Sequence, residues 1–140
     1  MKMGLADAAQ DIVDEFDFLD DWEERYQHLI GMGRALTPLD TAIMTDDNRL
    51  RGCQSVVHFK ADYSDGLMHY QAGSDAAIVQ GLIALLMRVY SGQRPDDILE
   101  FQPQFLQQIG LDEHLSPTRK NGLASMITAI MAEAKARTAI

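Results

Sequence analysis

The chain has 140 residues and a mass of 15.6 kDa, enough for one domain that buries its core without disulfides or metal. Twenty-one acids against twelve bases leave a net charge of −9, which excludes the basic footprint of a nucleic-acid binder. One cysteine excludes an intrachain disulfide and any multi-cysteine zinc or iron–sulfur site, and no apolar run reaches the ~18–20 residues of a membrane span. With no basic, apolar leader at the start, the expectation is a soluble, cytoplasmic, single-domain protein spanning 1–140. The charge is uneven: residues 1–40 carry ten acids against three bases, whereas residues 114–140 carry one acid against four bases. A solvated helix face is the simplest reading of the acidic end.

Residues 1–6 read as a loose start, and 1–10 as a tail to the domain. From Ala8 to Leu19, Ile12, Val13, Phe16 and Leu19 recur on one helical face. A second helix is expected from Asp21 to Leu36, capped by Asp20 or Asp21, with Trp22, Tyr26, Leu29 and Ile30 inward; Gly31 and Gly33 weaken its last turns. After Thr37-Pro38 the chain is irregular to Gly52. Val56–Tyr63 and Leu67–Ala72 then flank Asp65-Gly66, a pair suited to a type I′ hairpin turn. That loop pairs Tyr63 with Met68, Ala61 with Tyr70 and Phe59 with Ala72, an apolar row that a one-residue slip would scramble.

Ser74 reads as the cap of a helix from Asp75 to about Tyr90, apolar nearly all round and therefore central. Pro95 at a first helical position opens a short helix, and Pro103–Ile109 reads as another. Ser116-Pro117 repeats the cap-and-proline arrangement before a last helix striped by Leu123, Met126, Ile127, Ile130, Met131 and Ala134. Helices around an antiparallel hairpin make the fold class α+β.

Few side chains carry chemistry. The histidines lack ligand spacing, and His69 falls opposite Asp62 in the hairpin, so no metal site is expected. Cys53 sits in Arg51-Gly52-Cys53-Gln54-Ser55, between an irregular loop and the first strand. A lone cysteine is commonly a small buried hydrophobe. Against that, Gly52 permits close approach of another molecule, and Arg49 and Arg51 are placed to favour a thiolate. Burial acts on the thiol in the opposite sense.

These residues also carry a resemblance. Arg51–Ser55, Ser74–Ala84 and His114–Leu123, together with Trp22–Tyr26 and Leu29–Gly33, resemble the SufE family from about Phe16 to Ala134. The family includes the paralogue CsdE, and local motifs do not separate the two.

The resemblance implies a fold like that of the IscU scaffold, with helices on a small antiparallel sheet that has a third strand. It implies a sulfur acceptor, not a stand-alone enzyme. Such a protein serves and activates a cysteine desulfurase, and hands the sulfur to a downstream iron–sulfur scaffold or another acceptor. The acceptor cysteine maps onto Cys53. The partner-facing surface maps onto Arg51, Gly52 and Gln54 around it, with Asp75 at the start of the central helix and Arg119 at the start of the last. No cofactor is implied in this chain, because pyridoxal phosphate belongs to the partner. Two other classes remain open: an iron–sulfur scaffold, which would need cysteines from several chains, and a stand-alone thiol redox protein, which would lack a resolving cysteine.

Overall fold

The computed structural model describes residues 3–138 and contains, among them, seven α-helices and a two-stranded antiparallel sheet. The helices are α1 (Leu5–Asp17), α2 (Trp22–Ala35), α3 (Ala77–Tyr90), α4 (Pro95–Glu100), α5 (Phe105–Gln108), α6 (Leu111–His114) and α7 (Pro117–Thr138). The strands are β1 (Val57–Ser64) and β2 (Leu67–Ser74), so the α+β class expected from the sequence is the observed one.

The tail is shorter than expected, because α1 already begins at Leu5. Leu5, Ala8 and Ala9 extend the stripe of Ile12 and Phe16, and all five are buried. Burying that stripe offsets the entropy of ordering the segment. The Gln93 side chain adds a tie, its Nε2 donating to the Met3 carbonyl at 2.7 Å. At the next turn Asp21 caps α2 by accepting from the Glu24 N–H at 2.9 Å, and the Glu24 carboxylate accepts from the Asp20 N–H at 2.9 Å.

α3 is the central element and is buried along most of its length. It crosses α2 at Gly33 and Gly81, where the backbones touch. A Cβ added at Gly33 would lie 2.7 Å from the Gly81 nitrogen, and one added at Gly81 would overlap the Leu29 carbonyl oxygen. The glycines read from sequence as a weakness of α2 are in part the condition for this packing.

The hairpin has the expected register, with Tyr63 opposite Met68, Ala61 opposite Tyr70 and Phe59 opposite Ala72. Asp65 and Gly66 take φ of 54° and 80°, as a type I′ turn requires. Met68, Tyr70 and Ala72 face the core, and the Tyr70 hydroxyl donates to the Ile130 carbonyl of α7 at 2.8 Å.

Two expectations need correction here. No third strand forms among the described residues; both hairpin edges carry only single bridges, Arg49 with His58 and Met68 with Gln93. The central helix also starts two residues later than expected. β2 pairs as far as Ser74, opposite Val57, so Asp75 stands ahead of α3 and not in its first turn. Ser74 still closes that turn, its hydroxyl accepting from the Ala76 N–H at 3.2 Å.

α1, α2 and α3 share one ionic contact: Glu15 pairs with Arg88 at 2.6 Å and His28 at 2.9 Å. The Arg88 hydrogen bond outweighs partial burial and, with help from His28, holds the Glu15 carboxyl below its usual range. Because the folded value is depressed, Glu15 stabilises the fold above the ordinary carboxylate pKa, and that contribution is lost as pH falls through the folded one. Glu15→Gln is expected to flatten the acid limb of the stability–pH curve, read from melting temperatures across acidic buffers.

Candidate functional site

The segment after the 3-10 turn Asp46–Asn48 is pinched at its base. The Leu50 N–H donates to the Val57 carbonyl at 2.8 Å, and Arg49 bridges His58, so residues 51–56 project as a closed loop. Gly52 has a φ of 87° and rests on α7, where the Ser125 hydroxyl donates to its carbonyl at 3.4 Å. The backbone angle favours glycine, and a Cβ at this position would lie 2.6 Å from the Ser125 oxygen, displacing that hydroxyl from its hydrogen bond.

The pivot at Gly52 turns Cys53 to one flank of α7. The thiol is half-buried, with Sγ 3.7 Å from the Gly122 carbonyl, in position to donate its proton there. It opens into a hollow of about 450 Å³ floored by Val79 and Leu82 of α3 and by Leu123 and Met126 of α7. Thr118 and Arg119, both exposed, stand at the hollow's edge, and Gln54 lines it beside the thiol. The Arg119 N–H takes the expected cap from the Ser116 hydroxyl at 3.3 Å. Among the described residues Arg119 makes no ion pair.

The structure therefore brings Cys53, Gln54 and Arg119 to one hollow, with Gly52 as the pivot. It does not bring the other two candidates there. Arg51 and Arg49 line a separate hollow on the opposite flank of α7, beside Asn121 and Ser125. Asp75 is exposed and lines neither.

The thiolate-favouring role expected of Arg49 and Arg51 is corrected accordingly. Burial pushes the Cys53 thiol up. Gly122, whose carbonyl faces the thiol, was not among the candidates, although a glycine inside a long helix, away from either cap, was a usable signal. The sulfur sits close to this turn of α7: a Cβ added at Gly122 would lie 3.9 Å from Sγ, in ordinary van der Waals contact. Alkylation of Cys53 by iodoacetamide is expected to be several-fold slower at neutral pH than that of a small peptide thiol, and to accelerate as pH rises into the alkaline range. Equal rates would show that neither burial nor the raised pKa protects the sulfur.

No helix among the described residues is long and apolar enough to cross a membrane, and no group of three or more metal-binding side chains occurs among them. The family described as "SufE: Fe-S metabolism associated domain" matches residues 10–134. An uncharacterized SufE-like protein of Rhizobium meliloti is 40% identical over 131 residues, covering 90% of this chain and 94% of that one. A second, from Rhizobium etli, is 41% identical over 133 residues, covering 91% and 90%. One from Synechocystis is 36% identical over 123 residues, covering 88% and 77%. Among solved structures, a hypothetical protein from Thermus thermophilus has a similar fold, with a TM-score of 0.77 at 23% identity over 95% of this chain and 97% of that one.

Proposed function

The chain belongs to the SufE family of iron–sulfur metabolism, and from that premise we propose that it accepts sulfane sulfur from a cysteine desulfurase on Cys53 and passes it on for cluster assembly. The observation that carries this reading is the seat of the chain's single thiol: half-buried, on a projecting loop, at the mouth of a hollow with an apolar floor.

The exchange balances without an oxidant. Cys53 first gives up its proton, and its thiolate attacks the outer sulfur of the partner's cysteine persulfide. A sulfur–sulfur bond forms on Cys53 as the one in the partner breaks. The partner's cysteine leaves as a thiolate and can take up the proton Cys53 released. The net result is transfer of one sulfur atom with no change in the total of thiols and persulfides, and it frees the desulfurase for another turnover.

Each part of the site has a task in this scheme. Gly52 sets the direction of the thiol, and the hollow beside it has room for a second sulfur next to the first. The apolar floor keeps a stored persulfide away from water and small reductants. Arg119, exposed beside the thiol, is placed to meet the partner, as is Gln54. Pyridoxal phosphate chemistry stays in the partner, so this chain's own contribution is the thiol and its shelter.

The test is direct. The protein is incubated with cysteine and a cysteine desulfurase, and the intact chain is weighed. A gain of one sulfur atom, removed by a thiol reductant and mapped to Cys53, is the expected result. An unchanged mass with every desulfurase tried would overturn the reading.

A further inference from the structure

The far flank of α7 is basic in a chain that is otherwise acidic. Arg49 and Arg51, both exposed, line an open hollow of about 680 Å³ with Asn121, Ser125 and Thr128. On the thiol side stands Arg119, and the exposed Lys120 follows it on α7. Neither of the two hollows is lined by a carboxylate, and none of these four cations makes an ion pair among the described residues. Arg49 also lines the next hollow along, together with Asp47 and Glu133.

We infer that Arg49 and Arg51 form a docking contact for a carboxylate-bearing segment of the desulfurase, on the opposite flank of α7 from the thiol. The partner is the one assigned above, so the inference rests on that reading and adds the chemistry of the contact. The net charge of −9 does not repel an acidic segment here, because charges more than about 8 Å away are largely screened at physiological salt. The charged groups in the hollow's own lining are two arginines, whose planar forks grip carboxylates at two points. The position is also right. Arg51 lies two residues from Cys53, at most about 7 Å along an extended chain, so a segment held there sets the partner beside the thiol.

Calorimetric titration of desulfurase into the intact protein measures docking, while the mass gain on Cys53 separately measures sulfur transfer. Wild-type affinity is expected to fall as salt is raised. Arg51→Glu is expected to weaken binding several-fold and Arg49→Glu/Arg51→Glu about tenfold or more, with a flatter salt dependence. Arg94→Glu reverses an exposed charge in a different hollow, beside the hairpin turn at Asp65-Gly66, and is expected to change affinity far less. Should the double reversal impair folding, seen by its melting curve, Arg49→Gln/Arg51→Gln replaces it, with a several-fold weakening expected.

Sulfur transfer to wild-type Cys53 together with equal affinity of wild type and double variant would overturn the docking contact and leave the acceptor function standing. Charge-dependent binding without any mass gain would do the reverse. An effect of Arg94→Glu as large as that of Arg51→Glu would reduce the contact to general electrostatics and overturn it. So would heparin binding that the double variant loses while desulfurase binding is unchanged, since the hollow would then belong to a polyanion.

Discussion

Cys53→Ser is expected to abolish stimulation of the desulfurase and all sulfur gain by the chain, while leaving a folded protein. A hydroxyl has no route to a sulfur–sulfur bond, so the loss is complete and does not depend on partner concentration. The structural cost is small for a physical reason. Sγ is only half-buried and its single polar contact, to the Gly122 carbonyl, is a long 3.7 Å one that a hydroxyl can replace. The change in stability therefore stays within about 1 kcal/mol, the ordinary range for point substitutions. Cysteine turnover by the partner, measured with wild type and variant beside their melting curves, separates the two effects. Stimulation by Cys53→Ser equal to wild type would mean that activation works through docking alone.

Gly81→Ala is expected to be the most damaging of the small substitutions. By helix propensity alone, alanine inside α3 is better than glycine by about 1 kcal/mol. Packing reverses the sign. The added methyl group would overlap the Leu29 carbonyl oxygen, a backbone atom with no rotamer to escape into, so α2 and α3 must separate along their whole contact. The expected cost is about 3 kcal/mol or more, which for a chain of this size lowers the melting temperature by roughly 10 °C. Gly31→Ala is the control. It lies on the same helix as Gly33, is exposed, and an added Cβ would meet nothing within 4 Å, so it is expected to be neutral or stabilising by up to about 1 kcal/mol. Equal melting of wild type and Gly81→Ala would show that the crossing is looser than its geometry.

These two variants also mark where sequence reading succeeded and where it stopped. Cys53 was legible because the chain has one thiol and because Arg51–Ser55 stands among ordered motifs of a known family. Gly33 and Gly81 were legible only as glycines. Periodicity assigns a residue to a helix face, but the distance between two helices is set where they cross, and no local pattern encodes that. The same limit explains the start of α3. Ser74 is a good cap by composition, and its hydroxyl does take a cap-like hydrogen bond, yet strand pairing claimed Ser74 and Asp75 was left outside the helix. The tail was misread for the opposite reason: Leu5, Ala8 and Ala9 are weak apolar signals, and their burial depends on surfaces supplied by elements far along the chain.

By itself, the sequence determined the hairpin, its register and the stripes of the long helices, because each rests on residues within a few positions of one another. A type I′ turn and a two-residue period leave one pairing that keeps the apolar row on one face. It also singled out the one thiol, Cys53. Tertiary structure alone decided what surrounds that thiol, since its neighbour Gly122 is 69 residues from Cys53 and the Ser125 that holds Gly52 is 73 residues from Gly52. Arg49 and Arg51, adjacent in sequence to Cys53, were read as its electrostatic support. The loop crosses α7 at Gly52 and leaves them lining a different hollow from the thiol, whose pKa burial pushes up.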